Sequence, residues 1–394
     1  MLDKLWLILI ILLIISGIKG SILVKFKNYK IFSSIKKLNY TSLFISLGTK
    51  MGVGAIIGTT MSIIIGGPGA LLWMFIFTLL TSSLIYIESY LGNKYKEKYK
   101  NGYIGGIYYY TKNGLNKNIL AKLTLILFII TYSVFFLMIQ TNTITNILNT
   151  NKLILTIIII GLLILLLNNK ISELTKILTK IIPVISILFI IMSLYAITKH
   201  INEIPIIISN IIKNAFSKKA LITGMIIGVK RSIFLNELLI GTASMASGTT
   251  NENINNIASS LTIGTYFITY VISSLIALII LTYKGPLDYN YNNYLLKVFT
   301  YHFGNYGHYF LGIIVSLLGT SSIISGIYIG LSNLEHLTNK IITTTFKILL
   351  IITITTGIYL KSDKIWLFTD IFMLILIFLN NIIINKLKDK IMDS

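Results

Sequence analysis

Gly48-Thr49-Lys50-Met51-Gly52-Val53-Gly54-Ala55-Ile56-Ile57-Gly58 is the stretch whose reading decides the fold. It lies inside an apolar run at roughly 42–66, yet carries four glycines and a lysine. Helix-breaking glycine and ionisable groups at membrane depth are tolerated only where they line a cavity or are buried in protein. Gly54 and Gly58 taken alone also fit close packing of two helices through small residues. A phosphate-binding loop is excluded, because Lys50 precedes the glycines and no Gly-Lys-Ser/Thr follows. A second interrupted stretch, Gly224 to Gly248, contains Gly228, Lys230, Arg231, Asn236, Glu237 and Gly241. Each of the two stretches opens its own half of the chain.

The composition agrees with a membrane setting. Of 394 residues, 55% are apolar and 12% charged, with a mean hydropathy of +0.82. Soluble domains carry about 25% charged residues, so a water-soluble globule, a disordered chain and a cysteine-bridged secreted scaffold are excluded. The net charge of +21 does not indicate nucleic-acid binding. The lysines fall in short loops between apolar runs, where they set orientation, and the richness in Ile, Lys, Asn and Tyr is a compositional bias of the whole chain. An enzyme is not expected either: the four histidines, His200, His302, His308 and His336, lack ligand spacing, and no nucleophile or metal motif appears.

A span needs about 20 apolar residues. Runs at roughly 5–24, 42–66, 68–92, 119–147, 153–169, 181–198, 206–248, 257–282, 308–332, 341–360 and 364–385 predict eleven transmembrane helices. The first lacks a small-x-small cleavage site and is read as a retained helix. Lys25, Lys27, Lys30, Lys36 and Lys37, then Lys94, Lys96, Lys98 and Lys100, then Lys170, Lys176 and Lys180, and finally Lys386, Lys388 and Lys390 form clusters. All fall on one side if the amino terminus is outside and the carboxyl terminus cytoplasmic. Setting aside residues 1–37 as an extra helix and basic loop leaves 38–200 and 201–394 as halves of five helices each. Since five is odd, the second half runs in the opposite sense, which is the inverted repeat of many secondary transporters.

The motifs resemble those of the bacterial alanine or glycine/cation symporters. That family's Gly-Asn-Ile-Ala-Gly motif is similar to Gly52 through Gly58, and its Gly-Gly-Pro-Gly-Ala turn with Trp-Met appears as Gly66-Gly67-Pro68-Gly69-Ala70 and Trp73-Met74. Gly105-Gly106-Ile107-Tyr108-Tyr109-Tyr110 and Lys112-Asn113-Gly114-Leu115 resemble a third motif. Gly228-Val229-Lys230-Arg231-Ser232-Ile233-Phe234-Leu235-Asn236-Glu237 resembles the family's Gly-Val-Lys-Arg segment. Weaker similarities lie at Gln140-Thr141-Asn142, Ile182-Pro183 and Trp366 to Asp370.

The resemblance implies an all-α, LeuT-like fold that imports a small neutral amino acid with sodium across the cytoplasmic membrane, as a monomer in the lipid bilayer and with no cofactor beyond the coupling ion. A zwitterion in a low-dielectric site needs donors for its carboxylate and acceptors for its ammonium. Backbone N–H groups at Gly52, Val53, Gly54 and Ala55 can take the carboxylate, and carbonyls near Phe234 and Leu238 the ammonium. Gln140 matches the family glutamine that contacts substrate. Phe234 and Leu238 read either as an apolar wall around the substrate or as ordinary helix-interface residues. Sodium wants oxygen, and the resemblance assigns it the carbonyls of Gly48 and Met51 and the hydroxyls of Ser321 and Ser322. For those hydroxyls, back-bonding within their own helix is the alternative. Asn236 and Glu237 are expected to form a buried polar hinge with Lys230 or Arg231, with a proton relay as the alternative.

The chain departs from the family in three places. The motif asparagine is Ala55, a family tryptophan aligns with Gly326, and the segment after Phe234 reads Leu235-Asn236-Glu237-Leu238-Leu239. A wider, less polar pocket is expected from these changes, with Asn236 and Gly326 in its lining. The competing reading keeps the fold but makes the carrier proton-coupled or uncoupled, with Lys50 standing in for the cation.

Overall fold

The computed structural model describes residues 2–30, 38–99, 102–168, 171–218, 220–337 and 340–392. Lys36, Lys37, Lys100 and Lys170, which enter the orientation reading, lie outside them. Long apolar runs in lipid must satisfy their backbone polar groups internally, and the described chain is helical apart from one antiparallel hairpin, β1 (Glu97–Tyr99) and β2 (Gly102–Ile104). The helices are α1 (Leu2–Leu23), α2 (Tyr40–Lys50), α3 (Val53–Gly66), α4 (Ala70–Lys94) and α5 (Asn118–Leu148). There follow α6 (Lys152–Asn168), α7 (Ile171–Thr198), α8 (Ile204–Ala215), α9 (Leu221–Asn236) and α10 (Thr242–Ser247). The chain continues through α11 (Ile254–Leu281), α12 (Tyr291–Phe303), α13 (Gly307–Leu337), α14 (Lys340–Thr356) and α15 (Ser362–Lys386).

Asparagine side chains set several starts by accepting from otherwise orphaned N–H groups. Asn39 accepts from Ser42 N at 2.7 Å to open α2, Asn253 from Asn255 N and Asn256 N to open α11, and Asn290 from Asn292 N and Asn293 N to open α12.

Among the described residues, seven helical stretches are long and apolar enough to cross a membrane, and α2 with α3 makes an eighth if the bent pair is one span. This supports a multi-pass membrane protein and is fewer than the eleven spans expected. The difference has identifiable causes. The run at 206–248 is divided: Pro205 opens a short amphipathic helix, α8, burying Ile207, Ile211 and Ala215 while Ile206, Ile208 and Ile212 face outward. Only after it do α9 and α10 enter the core, and neither reaches spanning length. Helices α6 and α14 have 17 residues each. The loop expected at 283–307 contains α12.

Both glycine-marked stretches are broken helices. Between α2 and α3 the axis bends by 50° at Met51 and Gly52. Gly52 is extended (φ −74°, ψ −177°), so α3 begins afresh and the N–H groups of Val53 and Gly54 have no helical partner, whereas the Ala55 N–H, expected to be free for a carboxylate, already donates to Gly52 O at 3.1 Å. In the second stretch α9 stops at Asn236. Glu237 (φ 50°), Leu239 (φ 58°) and Gly241 (φ 112°) then enter left-handed conformations before α10 starts. For a fully buried Leu239 such a backbone costs about 1–3 kcal/mol, and it persists only where the surroundings over-determine it. α3 packs along α9, and α2 along α10, so the two breaks face each other. α5, α11 and α13 wall the junction, and α1 lies outside it against α4.

Candidate functional site

At the first break the backbone is approached unusually closely. A Cβ on Gly52 would overlap the Ser322 hydroxyl and sit 2.9 Å from Gln140 Oε1, and one on Gly54 would overlap the Phe234 ring. Glycine is therefore required at both positions by contact rather than by dihedral angle. Gln140 Oε1 accepts from the N–H of Val53 at 3.1 Å, while its Nε2 donates to Phe136 O at 3.3 Å. A π-helical stretch at Ile129–Phe136 in α5 precedes Gln140. Ser322, on α13, donates to Gly48 O at 3.2 Å and lies 3.4 Å from Thr49 O.

Aromatic rings close the junction from the second break. Phe234 stacks on Phe136 at 4.8 Å and meets Trp366 at 4.7 Å, and Tyr132 continues the stack onto Phe136 at 4.6 Å. Ala55 and Leu238 are buried in the same core.

Gly48, Gly52, Val53, Gly54, Gln140, Phe234 and Ser322 are thus brought together. Other residues named from the sequence are not. Ser321 donates to Leu318 O at 2.8 Å within its own helix, which is the back-bonding alternative. Met51, by contrast, is named for its carbonyl and lies in the break itself beside Gly52, with its thioether accepting from Ser186 at 3.0 Å. Gly326 does not open a pocket, because Leu137 fills the space a larger residue would take. Asn236 turns away from the first break: its Nδ2 donates to Thr78 at 2.8 Å and its Oδ1 accepts from Thr269 at 2.8 Å.

The expected hinge of Glu237 with Lys230 or Arg231 does not form. Lys230 and Arg231 both reach Asp370 on α15, at 3.1 and 2.7 Å, and Glu237 lies a turn beyond them on the left-handed segment. The α9 helix points the adjacent basic pair toward α15, while its termination at Asn236 turns Glu237 inward to the hydroxyls of Thr49 and Thr242, at 2.7 and 2.6 Å. Arg231 also lies over Trp366, 4.5 Å from the ring centroid, and so adjoins the aromatic wall. Lys50 is engaged on another helix: its Nζ donates to Thr265 on α11 at 2.8 Å.

Sequence reasoning missed Glu88, Thr49, Thr242 and Tyr132. Glu88 carried a signal, being a carboxylate inside the apolar run of α4 and fully buried. The threonines and the tyrosine carried none, since such residues are frequent along these helices.

Comparison with known proteins agrees with this architecture. The family model described as the sodium:alanine symporter family matches residues 2–394. The amino-acid carrier protein AlsT of Bacillus subtilis is 26% identical over 361 residues, covering 88% of this chain and 77% of that protein. The probable sodium/glutamine symporter GlnT of the same organism is 29% identical over 411 residues, covering 97% of this chain and 86% of that protein. The sodium/alanine symporter AgcS of Methanococcus maripaludis is 29% identical over 118 residues, covering 29% of this chain and 26% of that protein.

Proposed function

Because the chain belongs to the sodium:alanine symporter family, and is therefore an amino-acid symporter and not an enzyme, we propose that its cargo is a small neutral amino acid of the alanine or glycine class and its coupling ion sodium. The observation that carries this reading is the contact between Val53 N–H and Gln140 Oε1 at 3.1 Å, at the opening of a broken helix. An N–H freed by the break, next to the positive end of α3, is a donor suited to a carboxylate, and Gln140 is the side chain that reads whether it is occupied. Phe136, Phe234 and Trp366 crowd the same junction, with the Phe234 ring against Gly54, which favours a small side chain.

For sodium, the freed carbonyls of Gly48 and Thr49 together with the Ser322 hydroxyl gather oxygens from two helices. The engagement of Lys50 with Thr265 favours this over the reading in which the lysine replaces the ion. The proposal includes ten helices in two inverted halves, 38–200 and 201–394, behind an extra amino-terminal helix. It places the amino terminus outside and the carboxyl terminus in the cytoplasm, with the chain acting as a monomer in the cytoplasmic membrane. Alternating access would pivot on the two breaks.

The test is uptake. Purified protein in liposomes accumulates labelled alanine when sodium is high outside and fails to do so when choline replaces it. Equal uptake with choline would discard sodium coupling. Ser322→Ala raises the sodium concentration for half-maximal uptake about tenfold, the loss of one hydrogen-bonding oxygen, and leaves alanine affinity near normal at saturating sodium. The reverse pattern would move Ser322 from the ion to the substrate.

A further inference from the structure

Three ionisable side chains lie buried around the breaks: Lys50 at 2% exposure, and Glu88 and Glu237 at 0%. Fully ionised, they would set two carboxylates against one ammonium, so the set is neutral only with one further proton or cation. Among the described residues no ion pair within 4.0 Å joins Lys50 to either carboxylate. An uncompensated buried charge is costly inside a membrane protein, so the cluster favours one additional positive charge.

The geometry indicates where that charge sits. Glu237 Oε2 accepts from Thr242 Oγ1 at 2.6 Å and lies 2.7 Å from Thr49 Oγ1, whose single proton is shared with Ser46 O at 2.8 Å, whereas Oε1 has no hydrogen-bond partner. The hydroxyl of Tyr132 faces the same carboxylate, is fully buried and is also without a partner. Each hydroxyl retains lone pairs after donating its proton. Glu237, Thr49, Thr242 and Tyr132 therefore present hard oxygens from α2, α5 and both sides of the second break. Glu88 stands further along, near the Gly241 N–H and 3.4 Å from Asn380 Nδ2, and adds negative potential.

We propose that Glu237, Thr49, Thr242 and Tyr132 form a second sodium site, separate from the oxygens of Gly48 and Ser322. The inference rests on the reading of this chain as a sodium symporter and assigns it a second coupling ion. Thr49 links the two sites, because its carbonyl lies toward Ser322 and its hydroxyl toward Glu237. Occupation of both would fasten the first break to the second and to α13.

The experiment is equilibrium binding of sodium-22 to the purified full-length chain at saturating alanine. Wild type is expected to bind two ions per chain, Glu237→Gln one and Ser322→Ala one at the same sodium concentration. Tyr132→Phe and Thr242→Val each remove a single hydroxyl and test the same site without removing a charge. Each is expected to raise half-saturation of one ion about tenfold. If Glu237→Gln folds, by its melting curve, and still binds two ions, the inference is overturned. It is equally overturned if Glu237→Gln does not fold while Tyr132→Phe and Thr242→Val both bind sodium as wild type does. Loss of alanine binding with both ions retained would overturn it by assigning Glu237 to the substrate ammonium. A wild type that binds one ion, lost in Ser322→Ala and kept in Glu237→Gln, refutes the second site alone. A wild type that binds none refutes sodium symport itself.

Discussion

Replacing Gly54 by alanine tests the closest approach in the junction. The added methyl would overlap the edge of the Phe234 ring, with two further ring carbons at 3.2 and 3.3 Å. Phe234 cannot swing aside freely, since Phe136 and Trp366 hold it at 4.8 and 4.7 Å. Overpacking of a core by one methyl costs about 1–3 kcal/mol, and the pinned ring places this case near ~2 kcal/mol. With an unfolding entropy of about 2.1 cal/mol/K per residue, a chain of 394 residues changes stability by ~0.8 kcal/mol per degree. Gly54→Ala should therefore lower the melting temperature by about 2–3 °C. Thermal unfolding in detergent, followed by tryptophan fluorescence, measures it. Phe234→Leu removes the obstructing ring edge, so the double variant should lose less stability than the two single losses combined, by about 1–2 kcal/mol. A Gly54→Ala protein that melts with wild type, or a double variant that is merely additive, would refute the argument that the first break and Phe234 share one packed surface.

Gln140→Ala removes the side-chain amide proposed to hydrogen-bond the substrate, worth about 1–3 kcal/mol, and should raise the alanine dissociation constant about tenfold or more in a binding assay. An unchanged constant would remove Gln140 from the substrate site. Asp370→Asn strands the buried Arg231 beside a neutral amide and leaves the buried Lys230 with only the exposed Asp3 carboxylate at 3.8 Å. A loss of about 3–5 kcal/mol is expected, seen as a lower melting temperature that Lys230→Met in the same background partly restores. At the membrane surface, the hydrogen bond from Lys297 and the Asn290 N–H hold the Asp288 carboxyl below its ordinary range, and Lys284 and His200 do the same for Glu203. A depressed carboxyl stabilises the fold above its unfolded pKa and loses that effect as pH falls through the folded value. Amide protection in 283–290, taken relative to the intrinsic exchange rate at each pH, should thus stay constant from pH 7 to about 4 and fall only below. A fall already at pH 6 would show that these pairs do not hold the loop.

Much of the site was legible because glycine reports on the backbone. Gly52 and Gly54 marked a break whose contacts leave no room for a Cβ, and Gln140 meets that break through the Val53 N–H. Side-chain destinations were less legible. Lys230 and Arg231 precede Glu237 by only a turn or two, yet α9 ends between them and the chain reverses its handedness, so neighbours in sequence serve different helices. Gly326 read as lost volume, but Leu137 on another helix fills the space. The division of 206–248 was also hidden, because an amphipathic surface helix and two short buried helices have the same average hydropathy as one long span.

By itself the sequence determined the membrane setting, the helical class and the two points where helices break. These follow from local properties: apolar run length, the cost of unsatisfied backbone in lipid, and the conformational latitude of glycine. The tertiary structure alone decided which polar groups meet. Glu237 facing Thr49, Asp370 receiving the basic pair and Ser322 reaching the freed carbonyls all join residues on different helices. Those encounters depend on how helices rotate and pack against one another, which no single stretch of chain encodes.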